Sequence, residues 1–346
     1  MKKVLCVLMA AVMVIGLTAC AGSKPEATQS TGTQAAPKDV YTITCSHATA
    51  DTTSLHAGSV AFKEFVEGKS GGRIVVNIFP NAQLGGDRET IEGVQTGEIT
   101  MMSSSNAVQV NFVPDAVIFD MPFLYPTTEF GRKVLDNAKF KENIAKSYAA
   151  SGLHYMGASD QGFRTLTANK VVKTPEDLNG LTIRTMENEY HMATWKALGA
   201  NPTPLAFNEL YTALQQGTVD AQENPVELIY SQKFYEQQKY VIGTNHIFQT
   251  IVWIMNESFY QNLPDDLKAI VDEGCDVAVK AARDFQDNNY ETNKKAIQDY
   301  GTEFIDLSPE ELSAFSAKVG VVYDMIKKDC GSDVYESYMA AVEAAK

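Results

Sequence analysis

The sequence is short of positive charge: 29 Lys and Arg stand against 43 Asp and Glu in 346 residues, a net charge of −14. That balance argues against nucleic acid or an anionic membrane surface as partner, because both attract cations. It does not exclude an anionic small ligand, since a few cations placed in a cleft decide that locally. Cysteine is sparse too. Beyond Cys20 there are Cys45, Cys275 and Cys330, an odd number at wide spacing that fits neither a disulfide framework nor a metal-ligand set. Buried thiols are the expectation, with a single bridge left open. The sequence has no G-x-S-x-G elbow, no H-E-x-x-H pair, no P-loop and no dinucleotide glycine fingerprint. The five histidines, His47, His56, His154, His191 and His246, show no ligand spacing, so neither metal nor cofactor is expected. Ser103-Ser104-Ser105 would need an assumed base to act as a nucleophile, and it reads instead as a polar loop facing a cleft.

What is present begins with a targeting segment. Lys2 and Lys3 form a basic start, and Val4 to Leu17 is apolar but short for a membrane span, which needs roughly 20 residues. Leu17-Thr18-Ala19-Cys20 then resembles a bacterial lipobox, which implies cleavage before Cys20 and lipid on its thiol. Residues 1–19 are read as the leader. Residues 20–39, rich in Ser, Thr, Ala and Gln, cannot bury enough surface to order themselves and read as a tether.

Beyond the tether, strand and helix signals alternate. Val40 to Cys45 and Arg73 to Phe79 alternate apolar with polar residues. Ser54 to Gly68 places Leu55, Val60, Phe62, Phe65 and Val66 largely on one helical face, and Asp87 to Gly97 reads as a short helix capped by Asp87. A second set begins near Gly162. It has a strand at Leu181–Ile183 and helices at Tyr190–Leu198 and Phe207–Gln216, with a turn-rich 199–204 between them. Pro264 to Tyr300 is the longest helical signal. The order implies an α/β fold with two domains and a ligand cleft between them.

The most informative stretch is 161–225. It carries Q-G-F-R-T-L-T, P-E-D-L-N-G-L-T-I-R and A-N-P-T-P-L-A-F-N-E-L-Y-T-A-L-Q-Q-G-T-V-D-A-Q-E-N-P. Arg164 and Arg184 each end an apolar segment, where a guanidinium fork could reach a carboxylate. On spacing alone, surface ion pairing explains them as well.

With F-P-N-A-Q-L-G-G-D-R-E (79–89), D-M-P-F-L (120–124) and K-F-Y-E-Q-Q-K-Y (233–240), this block resembles the solute-binding proteins of tripartite ATP-independent periplasmic (TRAP) transporters, of the DctP type. The resemblance covers about residues 40 to 340. It implies a two-domain periplasmic-binding-protein-like fold, with an interdomain cleft and a long connecting helix. Domain I would be 40–161 plus 250–289, and domain II 162–249 plus 290–346. It implies that Arg184 forms a bidentate salt bridge to a ligand carboxylate, that Arg164 assists, that Asn224 hydrogen-bonds the ligand and that Phe207 packs on it. His47 and Ser105 would line the pocket from the other domain, and Asp87 would approach polar ligand groups. The partners implied are a small-molecule carboxylate and the small and large integral membrane subunits, with the lipid on Cys20 holding the protein outside the cytoplasmic membrane. Thr185-Met186 stands where many members carry Val-Pro, which leaves the turn after Arg184 less rigid. Ser105 stands where sialic-acid binders have glutamate, which disfavours sialic acid. Sugar acids rank slightly ahead of C4-dicarboxylates. The alternatives are a binding protein of an ATP-driven system and a lipid-anchored hydrolase.

Overall fold

The structure, a computed structural model, describes residues 39–346. The leader, Cys20 and nearly all of the tether lie outside the described residues.

Nine strands form one sheet: β1 (Tyr41–Ser46), β2 (Ile74–Phe79), β3 (Met101–Ser105), β4 (Leu153–Ala168), β5 (Thr182–Thr185), β6 (Asn201–Pro204), β7 (Ala221–Asn224), β8 (Tyr240–Asn256) and β9 (Glu303–Ile305). Their order is β2-β1-β3-β8-β4-β7-β5-β6, with β9 beside β8. The two long strands, β4 and β8, run antiparallel from Leu153 opposite Asn256 to Ala168 opposite Tyr240. At one end β8 carries the β1–β3 wing. At the other, β4 carries β7, β5 and β6. The pairing of β4 with β8 loses register between Asp160 and Phe163, where Gly162 takes a left-handed φ of 75° that other residues rarely adopt.

The largest apolar core spans both wings, from Met102 and Val252 to Leu166 and Ile183, and two smaller cores flank it. Ile43, Phe62, Val66, Ile74, Val76 and Trp253 form one under β1–β3. Leu210, Leu214, Val226, Ile229 and Phe234 form another. The 36-residue helix Asp265–Tyr300, about 54 Å long at 1.5 Å per residue, joins them. Its Leu267, Val271 and Ala278 belong to the first core, and its Ile297 to the second. Gly274 lets this helix approach Ser54–Ser70 closely, since a Cβ there would come within 2.5 Å of Val66. The α/β class and the long helix are as the sequence led us to expect.

Four local expectations need correction. Residues 199–204 are not all turn, because Asn201–Pro204 is strand β6. It tolerates Pro202 and Pro204 because it lies at the sheet edge, where an unpaired N–H position can be spared. Ser103-Ser104-Ser105 is not a loop but the end of β3, which is buried along its whole length between β1 and β8. The Phe207–Gln216 helix splits into a 3₁₀ turn, Phe207–Glu209, and a helix, Leu210–Gln215. Asp87 does not cap its helix: Gly86 is the N-cap, and Asp87 sits in the first turn.

Candidate functional site

Strands β4, β7 and β5 bring the two arginines of the sequence block side by side. Arg164, on β4, is fully buried and committed. Its Nε and Nη2 donate to the Glu223 carboxylate on β7, Nη2 also donates to Asn224 Oδ1 at 3.2 Å, and Nη1 donates to Gln249 Oε1 at 2.6 Å. Glu223 is equally buried and also accepts from His246 Nε2 at 2.9 Å. Burial works against the Glu223 charge, but Arg164 and the His246 hydrogen bond hold its carboxyl well below the usual carboxylate range. Burial lowers His246, so the neutral ring donates from Nε2, and its Nδ1 accepts a hydrogen bond from the Thr244 hydroxyl at 2.9 Å.

Arg184, on β5, is 1% exposed and differently placed. Its Nε and Nη2 both donate to the Leu205 carbonyl, at 2.9 and 2.6 Å, and its buried Nη1 has no hydrogen-bond partner among the described residues. Desolvation, reinforced by the nearby Arg164 charge, lowers it to about 10. A charged group with an unanswered buried N–H has the chemistry to accept an anion.

Two adjoining cavities meet at these arginines. One, about 20 Å³ and so room for about one water, is lined by Thr49, Ser104, Ser105, Gln161, Arg164, Asn224 and Gln249 among others. The other, about 100 Å³, is lined by Arg184, Glu187, Leu205 and Ala206. Asp87, Met186 and Phe207 line both. Asp87 is partly buried, and desolvation raises its carboxyl to about 6 against the pull of Arg184. Phe207 stacks edge-on against Phe234, with ring centroids 6.0 Å apart. Ser105 also accepts from Ala107 N–H at 3.2 Å, at the start of the short helix Asn106–Gln109.

Six of the seven residues singled out from the sequence therefore line one cavity or the other. His47 does not. Its ring is buried between Thr49 Oγ1, 3.1 Å from Nδ1, and His56 Nδ1, 3.2 Å from Nε2. Burial and His56 lower it to about 3, so it stays neutral. Its neighbours Ala48 and Thr49 face the cavity in its place. Sequence reasoning missed Glu223, Gln249 and Gln161. Glu223 had a usable signal, because an arginine buried on β4 requires a carboxylate, and Q-E-N-P supplies one beside Asn224. Cys45, Cys275 and Cys330 are buried and free.

A cavity at the meeting of two sheet wings, lined by cationic, amide and aromatic groups, is that of a small-molecule binding protein. The chain belongs to the bacterial extracellular solute-binding proteins, family 7, whose model matches residues 45–329, and so to the DctP-type binding subunits of TRAP transporters. This is a family of binding proteins, not enzymes. The chain is 41% identical over 213 residues to a solute-binding protein of Verminephrobacter eiseniae, covering 61% of this chain and 63% of that one. It is 33% identical over 312 residues to the C4-dicarboxylate-binding periplasmic protein DctP of Rhodobacter capsulatus, covering 88% and 90%. Among solved structures, a TRAP periplasmic solute-binding protein of Shewanella oneidensis with bound succinate superimposes with a TM-score of 0.82 at 28% identity, covering 88% and 99%. The sugar acid binding protein of Advenella mimigardefordensis in complex with galactonate gives 0.84 at 28%, covering 89% and 99%.

Proposed function

We propose that this protein captures a small organic acid, a sugar acid or a C4-dicarboxylate, by a salt bridge from Arg184 to the ligand carboxylate, and delivers it to the small and large membrane subunits of a TRAP transporter. The observation that carries the reading is the buried, unpartnered Nη1 of Arg184 in a cavity wall. Two donors of that guanidinium are spent on Leu205, which fixes its plane and aims the remaining edge. Arg164 is a supporting residue in this scheme: committed to Glu223, it orients Asn224 and Gln249 toward the ligand. Ser104, Ser105 and Thr49 offer hydroxyls to a polyhydroxy acid, and Phe207 covers its apolar edge. Asp87 selects among polar ligand groups. The ligands of the Shewanella and Advenella relatives, succinate and galactonate, are of this chemistry.

Residues 40–161 with 250–289 form one lobe in this reading, and 162–249 with 290–346 the other. The acid touches side chains of both lobes, so the lobes part to admit it and close on it. Cys20 carries the lipid that anchors the protein outside the cytoplasmic membrane. A thermal-shift screen of sugar acids and dicarboxylates tests the ligand class. An acid at 100 times its dissociation constant adds about 2.7 kcal/mol of stability, and no shift with any acid of either class contradicts the proposal.

A further inference from the structure

Glu227 lies in the helix Val226–Ser231, whose Val226 and Ile229 belong to the core beside Phe234. Its carboxyl reaches the start of the helix Ser54–Ser70, whose Phe62 and Val66 belong to the core under β1–β3. Glu227 Oε1 accepts from the Ser54 backbone N–H at 2.6 Å and from Gln161 Nε2 at 3.3 Å. The same Gln161 amide nitrogen lies 3.3 Å from Ser54 Oγ. Thr53, the N-cap of that helix, makes no side-chain cap hydrogen bond. A residue 173 positions away thus satisfies a helix-start N–H. Gln161 and Leu228, the neighbour of Glu227, line the cavity that holds Arg164.

The other oxygen is unusual. Glu227 is 2% exposed, and its Oε2 is buried with no hydrogen-bond partner among the described residues, as is Gln161 Oε1. Two buried acceptors without donors are costly if one belongs to an anion. A proton on Oε2 removes the buried charge and leaves Oε1 free to accept from Ser54.

We propose that Glu227 is a positioning residue for ligand capture: as a neutral carboxylic acid it latches the Ser54 helix and Gln161 against the wall of the ligand cavity, so that closure takes up a proton. The inference rests on the capture-by-closure reading above. Desolvation raises the Glu227 carboxyl to about 7, against the Ser54 hydrogen bond, with the Asp160 charge on β4 adding to the rise. Asp160 is itself held by Arg132 at 2.7 Å and Arg283 at 3.5 Å. On the Ser54 helix His56 is engaged by His47. Opening the cleft returns Glu227 to water and to an ordinary carboxylate range. The closed form then holds its proton more tightly than the open form, so low pH favours closure and the preference fades as pH rises toward 7.

Calorimetry with succinate and with D-galactonate, from pH 5.5 to 7.5, tests this on the wild type, Glu227→Gln, Glu227→Ala and Asp87→Asn. The wild-type dissociation constant is expected to weaken roughly tenfold across that range. Glu227→Gln keeps the Oε1 acceptor without a titrating proton, so it should bind well throughout with a much shallower slope, the remainder belonging to Asp87, whose carboxyl is raised to about 6. Glu227→Ala should bind more weakly at every pH, and Asp87→Asn should keep the Glu227 slope. An unchanged slope in Glu227→Gln, with binding intact, overturns the latch alone. Failure of both acids to bind the wild type overturns the capture reading and the latch with it.

Discussion

Arg184 gives two of its donors to one carbonyl, that of Leu205, and keeps a buried Nη1 unanswered among the described residues. The contact holds the guanidinium rigid without neutralising it, which is what a carboxylate receptor needs. Arg184→Ala should cost at least about 30-fold in affinity for an acid that the wild type binds, because a desolvated ligand carboxylate would lose its counter-charge. Arg184→Lys should recover little, since an ammonium cannot hold Leu205 and a carboxylate in one plane. Calorimetry checks this, and a loss below tenfold for the alanine variant speaks against the role.

The pair Arg164–Glu223 makes a different demand. Both side chains are inaccessible to solvent, so removing one charge strands the other. Glu223→Gln should lower stability by about 3 kcal/mol or more, measured by urea denaturation. A change below about 1 kcal/mol would show that the pair matters little to the fold.

The same carboxylate sets an acid limb. Glu223 holds its proton less tightly in the fold than in the unfolded chain. Its contribution is therefore present above the ordinary glutamate value, about 4.3, and fades as pH falls below it. Denaturation midpoints should drop steeply below that pH in the wild type and more gently in Glu223→Gln. Parallel curves would contradict the assignment.

Asp87 can separate the two ligand classes. Its carboxylate borders both cavities near Arg184. A polyhydroxy acid can donate a hydroxyl to it, whereas a dicarboxylate meets only repulsion. Asp87→Asn should tighten succinate binding and weaken or leave unchanged that of galactonate. Competition between the two acids reads the shift, and equal changes for both would remove Asp87 from selectivity.

The lipid anchor is tested on the cell. Cys20→Ser should release the protein from the membrane fraction or block its maturation, and an unchanged membrane fraction would refute the Leu17-Thr18-Ala19-Cys20 reading.

The long helix and the α/β order were legible because each rests on a local period: Leu267, Val271 and Ala278 recur on one face, and Ile74, Val76 and Ile78 alternate. What local pattern hid was set by position in the sheet. Ser103-Ser104-Ser105 reads as polar loop because its serines mask a central strand, and the Ser104 and Ser105 hydroxyls are accommodated by Gln109 Nε2 at 2.9 Å and Ala107 N–H at 3.2 Å. Asn201–Pro204 reads as turn because only an edge accepts its prolines. At the site, Arg164 and Arg184 were visible as residue types, but local pattern did not divide their labour, and the expectation that Arg184 leads and Arg164 assists came only from the family resemblance. Which of them is spent on a carboxylate and which stays open depends on β7 lying beside β4, a pairing between residues about 60 positions apart.

A crystal structure of the protein with D-galactonate or succinate bound tests the central claim most directly. The expected result places a ligand carboxylate oxygen within about 3 Å of Arg184 Nη1, with Leu205 still bonded to Nε and Nη2 and Arg164 still paired with Glu223. A bound acid whose carboxylates all lie away from Arg184 would contradict it.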